Sequence, residues 1–564
     1  MSNHQRSVSI LCSVAVVVWI AQITAAWADV PNAYRELVPG TASIADVQQA
    51  LGNPPIDTAD HDDFRYPVEG RPDLNDRLFF QRGKLQVVTA ATDDPRYPTR
   101  DDIVGRLGEP EARVEFQTQE FLDYSERGLR FICDAQHKTI GIVYFVPMRR
   151  RVPAGYPNVS VSLRRSPSTK AAAKAPEDFR VGAAQVSIAP ERFDNLTAEA
   201  ADELPHLAED LFARAAVFAR GSTKIALVGL DVFGMGVWDV DRLRQMLADD
   251  GFSHVIIAMS HTHANVDMMG FYGYYPREYA QHTLKQARAA VLQAAGKLKP
   301  VQSLKLGTVA MPLHGGRVVD LVRNARDPGI VDPTVSILQA IGQDGKPIVN
   351  VIHLSCHPEV IDLKGTGGLS PDFVGSLTQQ VSQELGGQAV FLNGALGGMV
   401  TPDTRFRTQA AAEKMGRELA RYVVQAAGLA QPSSSYALWM KRRPVEYPVT
   451  GESVLQYLKN APGPIDVHQG RVSTEMNVLW IGDAQFVTVP GELLPEIGFE
   501  ITSQMRGRLR LIIGLANGEF GYLVPSYDFR AGQYEERTGP GAAGGAITRS
   551  VGLELAPLTP PSVP

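Results

Sequence analysis

His261 and His263 stand two residues apart in IIAMSHTHANVDMMG, directly behind an apolar run. On an extended chain, side chains at that spacing emerge on the same side. Two environments account for such a pair. One is a strand end that leaves two half-exposed rings at the surface. The other is a metal centre, because imidazole is a frequent zinc ligand. The second environment needs partners from elsewhere in the chain. NVIHLSC runs into His357, FVTVPG runs into Glu492, and LIIGLANGEFG runs into Tyr522. Two imidazoles and one carboxylate make a catalytic zinc set that leaves a position for water. The pKa of that water would fall to ~7. Spacing alone does not choose between the two environments, since H-T-H arises by chance and glutamates at strand ends are common.

The elements that must position these residues are legible from about residue 179 onward. KIALVGLDVFG, HVIIAMS, PIVNVIHLS, AVFLNG, AQFVTVPG and LRLIIGLANG read as strands. REYAQHTLKQARAAVLQAAGKL and QAAAEKMGRELARYVVQAAGL carry helical periodicity. Sites in α/β folds gather beyond the carboxyl ends of strands, and all five candidates lie there. His353 falls inside its strand and is assigned to the core. His206, His254, His282, His314 and His468 lack such a context. VDMMGFYGYYP (266–276) suits an acyl-chain groove or plain packing equally well. Asp231 reads equally as a support for a ligand imidazole or as a structural cap. Cys356 abuts His357, but adjacent side chains on an extended chain point apart, so it is not expected to be a ligand.

The chain has 564 residues, 44% hydrophobic and 21% charged, with a formal charge of −6. This is soluble-globular composition with no global field for nucleic acid. MSNHQR, an apolar stretch and AWADV form a secretory signal peptide, residues 1–28, expected to be cut after Ala28. The competing reading is an uncleaved anchor. The expected location is secreted or periplasmic. Cys133 and Cys356 are expected to be free.

An internal repeat follows. SIADVQQALGNP (43–54) matches TRDDIVGRLGEP (99–110). Ser43 and Thr99 are N-caps with Asp46 and Asp102 as box partners. Val47 and Leu51, like Ile103 and Leu107, share a helical face, and Gly52 and Gly108 end the helices. Residues 29–147 therefore divide into two helix-plus-hairpin units, about 36–90 and 91–147. They resemble the tandem-repeat domain of beta-lactamase-inhibitor proteins and small outer-membrane-assembly lipoproteins. That resemblance implies a protein partner; His61 and His137 are read as surface residues. A basic Pro/Ser/Ala linker spans 148–176, an α/β domain 177–557 and a tail 558–564. The fold class expected is an α/β domain with mixed sheets flanked by helices, preceded by a small α+β tandem-repeat domain.

Residues 179–557 resemble the neutral, non-lysosomal ceramidase family of zinc amidases. VGAAQVSIAP and ARAAVFARGSTKIALVGLDVFG match its opening strands. SHTHANVD stands where the family has T-H-T-H-S-G-P. LSCHPEV, LSPDFVG, AVFLNGALGG, VTVPGELLPEIG and GLANGEFGYLVPSYDF…YEE follow in order. The resemblance implies a Zn2+ cofactor held by His261, His357, Glu492 and Tyr522. It places His263 beside the metal as a hydrogen-bond partner of the reacting oxygen, with Tyr522 as a second candidate for that role. The family's serine-proline pair appears as GGMVTPD, with Thr401 at the matching position as a hydrogen-bond donor. ANVD replaces S-G-P, and the sequence after Tyr522 offers no counterpart of the family's C-terminal immunoglobulin-like domain. These departures bear on the lipid substrate more than on the metal. The expected activity is hydrolysis of an amide in a lipid-like substrate, presented at a membrane surface, as for N-acylsphingosine. A non-ceramide amide or ester is the alternative, and a non-catalytic envelope protein recruiting partners is a third reading.

Overall fold

The structure, a computed structural model, describes residues 32–561 apart from 58–62, 69–70, 82, 92–93, 111, 117–118, 135, 146, 148–159, 163–170, 197–204, 272, 313–316, 319, 327–329, 364–367, 405, 449, 461–466 and 527–533. The expected signal peptide, most of the linker, His61 and His314 lie outside the described residues. The chain divides into two units, one within Met1–Arg150 and one carrying most of Val161–Pro564.

In the first unit two capped helices each lead into four strands. Ser43 Oγ accepts from Asp46 N at 3.2 Å while Ser43 N donates to Asp46 Oδ2 at 2.7 Å. Thr99 Oγ1 accepts from Asp102 N at 3.3 Å. Gly52 and Gly108, at φ 80° and 78°, close Ile44–Leu51 and Arg100–Leu107. The strands form one antiparallel sheet in the order Ile56–Asp57, Asp63–Val68, Arg71–Gln81, Lys84–Ala90, Thr139–Phe145, Leu129–Cys133, Gln119–Tyr124, Ala112–Phe116. The second set of four thus runs in reverse order to the first, and the last strand of each set meets at the centre through Val87↔Phe145 to Ala90↔Ile142. Val47, Ile103 and Leu107 are buried against Phe64, Leu78, Leu122 and Phe131, with Leu51 at the margin.

The second unit is layered helix, sheet, sheet, helix. The larger sheet runs His254–Met259, Thr223–Leu230, Phe212–Arg220, Arg180–Ser187, Lys299–Ala310, Thr334–Gly342, Pro347–Leu354, Gln388–Asn393. The smaller runs Leu438–Pro448, Arg471–Ile481, Ala484–Thr488, Leu509–Ile513. Alternation sorts each strand between two cores. Leu227, Ile256, Val351 and Leu392 meet Leu479, Phe486, Leu511 and Ile513 between the sheets. Val228, Ile257 and Ile352 face helices Arg277–Gly296, Phe373–Leu385 and Gln409–Gly428. Val478, Val487 and Ile512 face Ile497, Ile501 and Leu555 on the other side. Gly182 lets the first of these helices close in, since a Cβ there would stand 2.1 Å from Ala294 O.

Most neighbouring strands are antiparallel. Within these two sheets three pairs are parallel: Thr223–Leu230 with His254–Met259, Pro347–Leu354 with Gln388–Asn393, and Ala484–Thr488 with Leu509–Ile513. Each needs a crossover, and each has a helix in it: Val237–Met246, Phe373–Leu385 and Pro495–Gln504. The chain beyond the carboxyl ends of these three pairs carries the candidate residues: the histidines on loops, and Glu492 and Tyr522 paired side by side in two short parallel strands, Glu492–Leu493 and Tyr522–Leu523. Among the described residues no helix is long and apolar enough to cross a membrane. Cys133 and Cys356 are free and buried.

Candidate metal centre

His261 follows its strand in a left-handed conformation, φ 70°. Its backbone N–H donates to Val232 O at 3.0 Å, and its Nδ1 lies 2.6 Å from Phe233 O. The Phe233 ring stacks on the imidazole at 4.6 Å between centroids. His357 is held in the same way from another loop: its N donates to Val400 O at 2.7 Å and its Nδ1 lies 3.0 Å from that same oxygen. A carbonyl oxygen only accepts, so each Nδ1 carries the proton. Both Nε2 atoms turn toward one carboxylate. Glu492 Oε2 is 2.8 Å from His357 Nε2 and 3.4 Å from His261 Nε2. All three residues are buried.

Burial raises the Glu492 carboxyl, but the charges and hydrogen bonds of His261 and His357 outweigh it and leave it lowered. Burial pulls His357 down, and the hydrogen bond and charge of Glu492 push it above the usual range. The carboxylate lies where a divalent cation would serve it and both Nε2 atoms. Tyr522 Oη is 3.5 Å from His357 Nε2 and donates to Met399 Sδ at 3.1 Å. Burial and the Glu492 charge hold its phenol well above the usual range in the absence of a metal.

His263 joins the other two histidines. Its ring centroid is 5.0 Å from that of His261 and 5.7 Å from that of His357, and the ligand atoms of all three lie within 4.8 Å of one another. Its side chain is 19% exposed, yet its Nε2 is buried and has no hydrogen-bond partner. Burial pushes its pKa down to about 3, against the pull of Glu359, so the ring is neutral. Glu359 Oε2 lies 3.7 Å from His263 Nδ1. The Thr401 hydroxyl hydrogen-bonds Glu359.

Glu359 is the residue the sequence reading missed. It sits two positions beyond His357 in CHPEV, the same spacing that drew attention to His263. Glu519 was also missed. It is buried, with Oε1 accepting from Gly521 N at 2.6 Å and Oε2 unpartnered. Burial and then the nearby Glu492 raise its carboxyl well above the usual range. The choice left open for Asp231 falls to the structural role: it accepts from Arg214 and from Phe212 N and meets no ligand imidazole. His353 bridges the two sheets through Nε2 to Ile512 O at 2.6 Å. Cys356 is buried, and burial keeps its thiol protonated. Met268 belongs to the main core, and Met269 packs on Phe233 and Tyr457, so these methionines line no groove. His254 and His282 lie outside the cluster; the latter faces Glu191 at 3.3 Å.

One buried amide ties the two histidine loops together. Asn393 Nδ2 donates to Ser260 O at 3.0 Å and to Cys356 O at 2.8 Å, while its Oδ1 accepts from Cys356 N and Gly394 N. Asn393→Leu orphans these groups. It is expected to lower stability by roughly 2–4 kcal/mol, read from urea unfolding. A loss below roughly 0.5 kcal/mol would show that the loops hold their places without it. Non-glycine residues with positive φ also gather here: His261, Met399, Leu515 and Asn517. Such strain persists only where the surroundings over-determine it, and it concentrates at functional sites.

No protein-family model matches the chain, and no curated protein matches it. Among solved structures, the neutral ceramidase from Pseudomonas aeruginosa superposes with a TM-score of 0.57 at 16% identity, over 68% of this chain and 74% of that one. A structure described as ceramidase complexed with C2 gives 0.56 at 14% identity, over 68% and 75%. At this identity the likeness establishes a shared ceramidase fold.

Proposed function

We propose that this chain is a zinc-dependent hydrolase of a lipid-like amide, with an N-acylsphingosine-type substrate cleaved by water to a long-chain amine and a fatty acid. The observation that carries the reading is the convergence of His261 Nε2 and His357 Nε2 on the Glu492 carboxylate, with each Nδ1 committed to a backbone carbonyl. The ceramidase fold supports it. His261, His357, Glu492 and Tyr522 are the residues that would hold the ion. The donor set suits zinc: two imidazoles oriented by their far nitrogens, one carboxylate and a phenol, all buried. Bound zinc would polarise a carbonyl and bring the pKa of water to ~7.

The chain's own groups do the rest. The unpartnered Nε2 of His263 is placed to meet an oxygen of the reacting amide. Its ring, kept neutral by burial, can exchange a proton there. Glu359, steadied by Thr401, faces the opposite nitrogen and orients the ring. Phe233, stacked on His261, holds that imidazole in place. Hydrolysis of N-acylsphingosine by the purified protein, abolished by chelation and restored by zinc, tests the reading. A zinc-loaded chain that cleaves none of N-acylsphingosine, a simple N-acyl amide and an aryl ester would refute it.

A second reading keeps the centre but takes a non-ceramide amide or ester. It is favoured by the segment after the histidines. Asn265 turns inward to Asp231 O and Tyr279, and Met268 is core, so neither of these residues lines an acyl-chain groove. We further propose export of the protein, and a protein partner for the first unit. Accordingly, residues 177–564 expressed alone should keep the zinc content and turnover of the full chain. A folded, zinc-loaded but inactive fragment would give the first unit a part in catalysis.

A further inference from the structure

A surface cleft of about 1110 Å³ opens on the second unit, with Arg220, Arg506, Arg508 and Arg510 on its walls together with Trp439 and Trp480. It lies far from the histidines. Arg220 precedes Thr223–Leu230, and Arg506 and Arg508 precede Leu509–Ile513, so the cleft is at the amino ends of strands whose carboxyl ends lead to Phe233 and Leu515. At about 3.3 Å per residue, the former strand alone separates the two by roughly 25 Å.

Among the described residues, none of the four guanidiniums meets a carboxylate. Arg220 donates to Tyr436 O at 2.8 Å, Arg508 to Gln431 O at 2.9 Å and Arg510 to Gly507 O at 3.0 Å. Arg506 is exposed. The two acids on the same walls accept from neutral donors of those walls: Asp178 from Gly221 N, and Asp483 from Ser434 N and Oγ. Each guanidinium has five donors, and these bonds use one or two of them. Backbone carbonyls therefore fix three forks while leaving donors free. Burial lowers Arg510, and the neighbouring Arg506 charge lowers it further. Four guanidiniums thus stand against two carboxylates on these walls; like charges repel, and an anion relieves the excess.

We propose that this cleft binds a phosphate-bearing ligand, its oxygens held by Arg220, Arg506, Arg508 and Arg510. Phosphate fits better than carboxylate. Its several acceptor oxygens and up to two charges can engage several forks at once. Trp439, partly exposed, offers an apolar face to whatever carries the phosphate. The inference is independent of the chemistry at the histidines.

The test is calorimetric titration of the full chain with inorganic pyrophosphate, alongside sedimentation with phosphatidylcholine vesicles that contain phosphatidic acid. Saturable binding of pyrophosphate at one site is expected. Arg506→Gln and Arg508→Gln should each weaken it about tenfold or more, as loss of a charge-assisted contact does. Zinc content should not change. Vesicle binding that pyrophosphate displaces would support the site with a lipid headgroup as source; pyrophosphate binding without vesicle binding would support it with a soluble phosphate. Failure of both probes to bind overturns the proposal. So does unaltered binding in the doubly substituted chain. Arg506 is exposed, so Arg506→Gln alone keeps the test decisive if the double variant unfolds.

Discussion

Replacing His261 by alanine is expected to remove both metal and hydrolysis. The substitution deletes one of the two imidazoles that converge on Glu492, and it also empties the space under the Phe233 ring. His357, Glu492 and Tyr522 remain, one imidazole short of the expected set. Loss of a supporting outer hydrogen bond at a metal typically costs ~10–100-fold in affinity or activity; loss of the ligand itself should exceed that, with turnover falling by more than roughly 10³-fold. Zinc content measured on the purified variant reads the effect directly. His261→Ala that keeps a full complement of zinc would mean that the ion is held elsewhere, and the assignment of His261 would fall.

His263→Ala should behave differently. The ring touches the ligand pair but is not between Nδ1-anchoring carbonyl and carboxylate, as His261 and His357 are. Its Nε2 has no hydrogen-bond partner within the chain. The variant is expected to retain zinc and to lose ~10²–10³ in turnover, the usual cost of one preorganised hydrogen-bond partner at a reacting oxygen. Glu359→Gln should lower kcat by a smaller factor at little cost in KM, because it acts through the ring's orientation, and Glu359→Asp should recover part of the loss. A metal-free His263→Ala would make the third histidine a ligand. Full activity in that variant on a confirmed substrate would reduce the ring to packing.

The sequence was most legible where apolar runs end in ligand-type side chains. His261, His263, His357, Glu492 and Tyr522 all follow such runs, and the fold brings them to one place. The helix caps at Ser43 and Thr99 were legible for a similar reason, since an N-cap is a local pattern, although the reciprocal bond of a full capping box is present at Ser43 and not at Thr99. What holds the site was less legible. The partners of both Nδ1 atoms are the carbonyls of Phe233 and Val400, and a backbone carbonyl leaves no trace in residue type. Asn393 bridges two loops that are neighbours only because Pro347–Leu354 and Gln388–Asn393 are parallel, a non-local pairing. Glu359 was open to discovery by spacing, two residues after His357. The methionines after His263 suited two environments by composition, and burial in the core decided for packing.

The central claim is that these converging side chains hold a zinc ion. Elemental analysis of the purified full-length protein tests it most directly. About one zinc per chain is expected, falling to background in His261→Ala. A wild-type chain that carries no zinc, and takes none up from a zinc-containing buffer, would contradict the account.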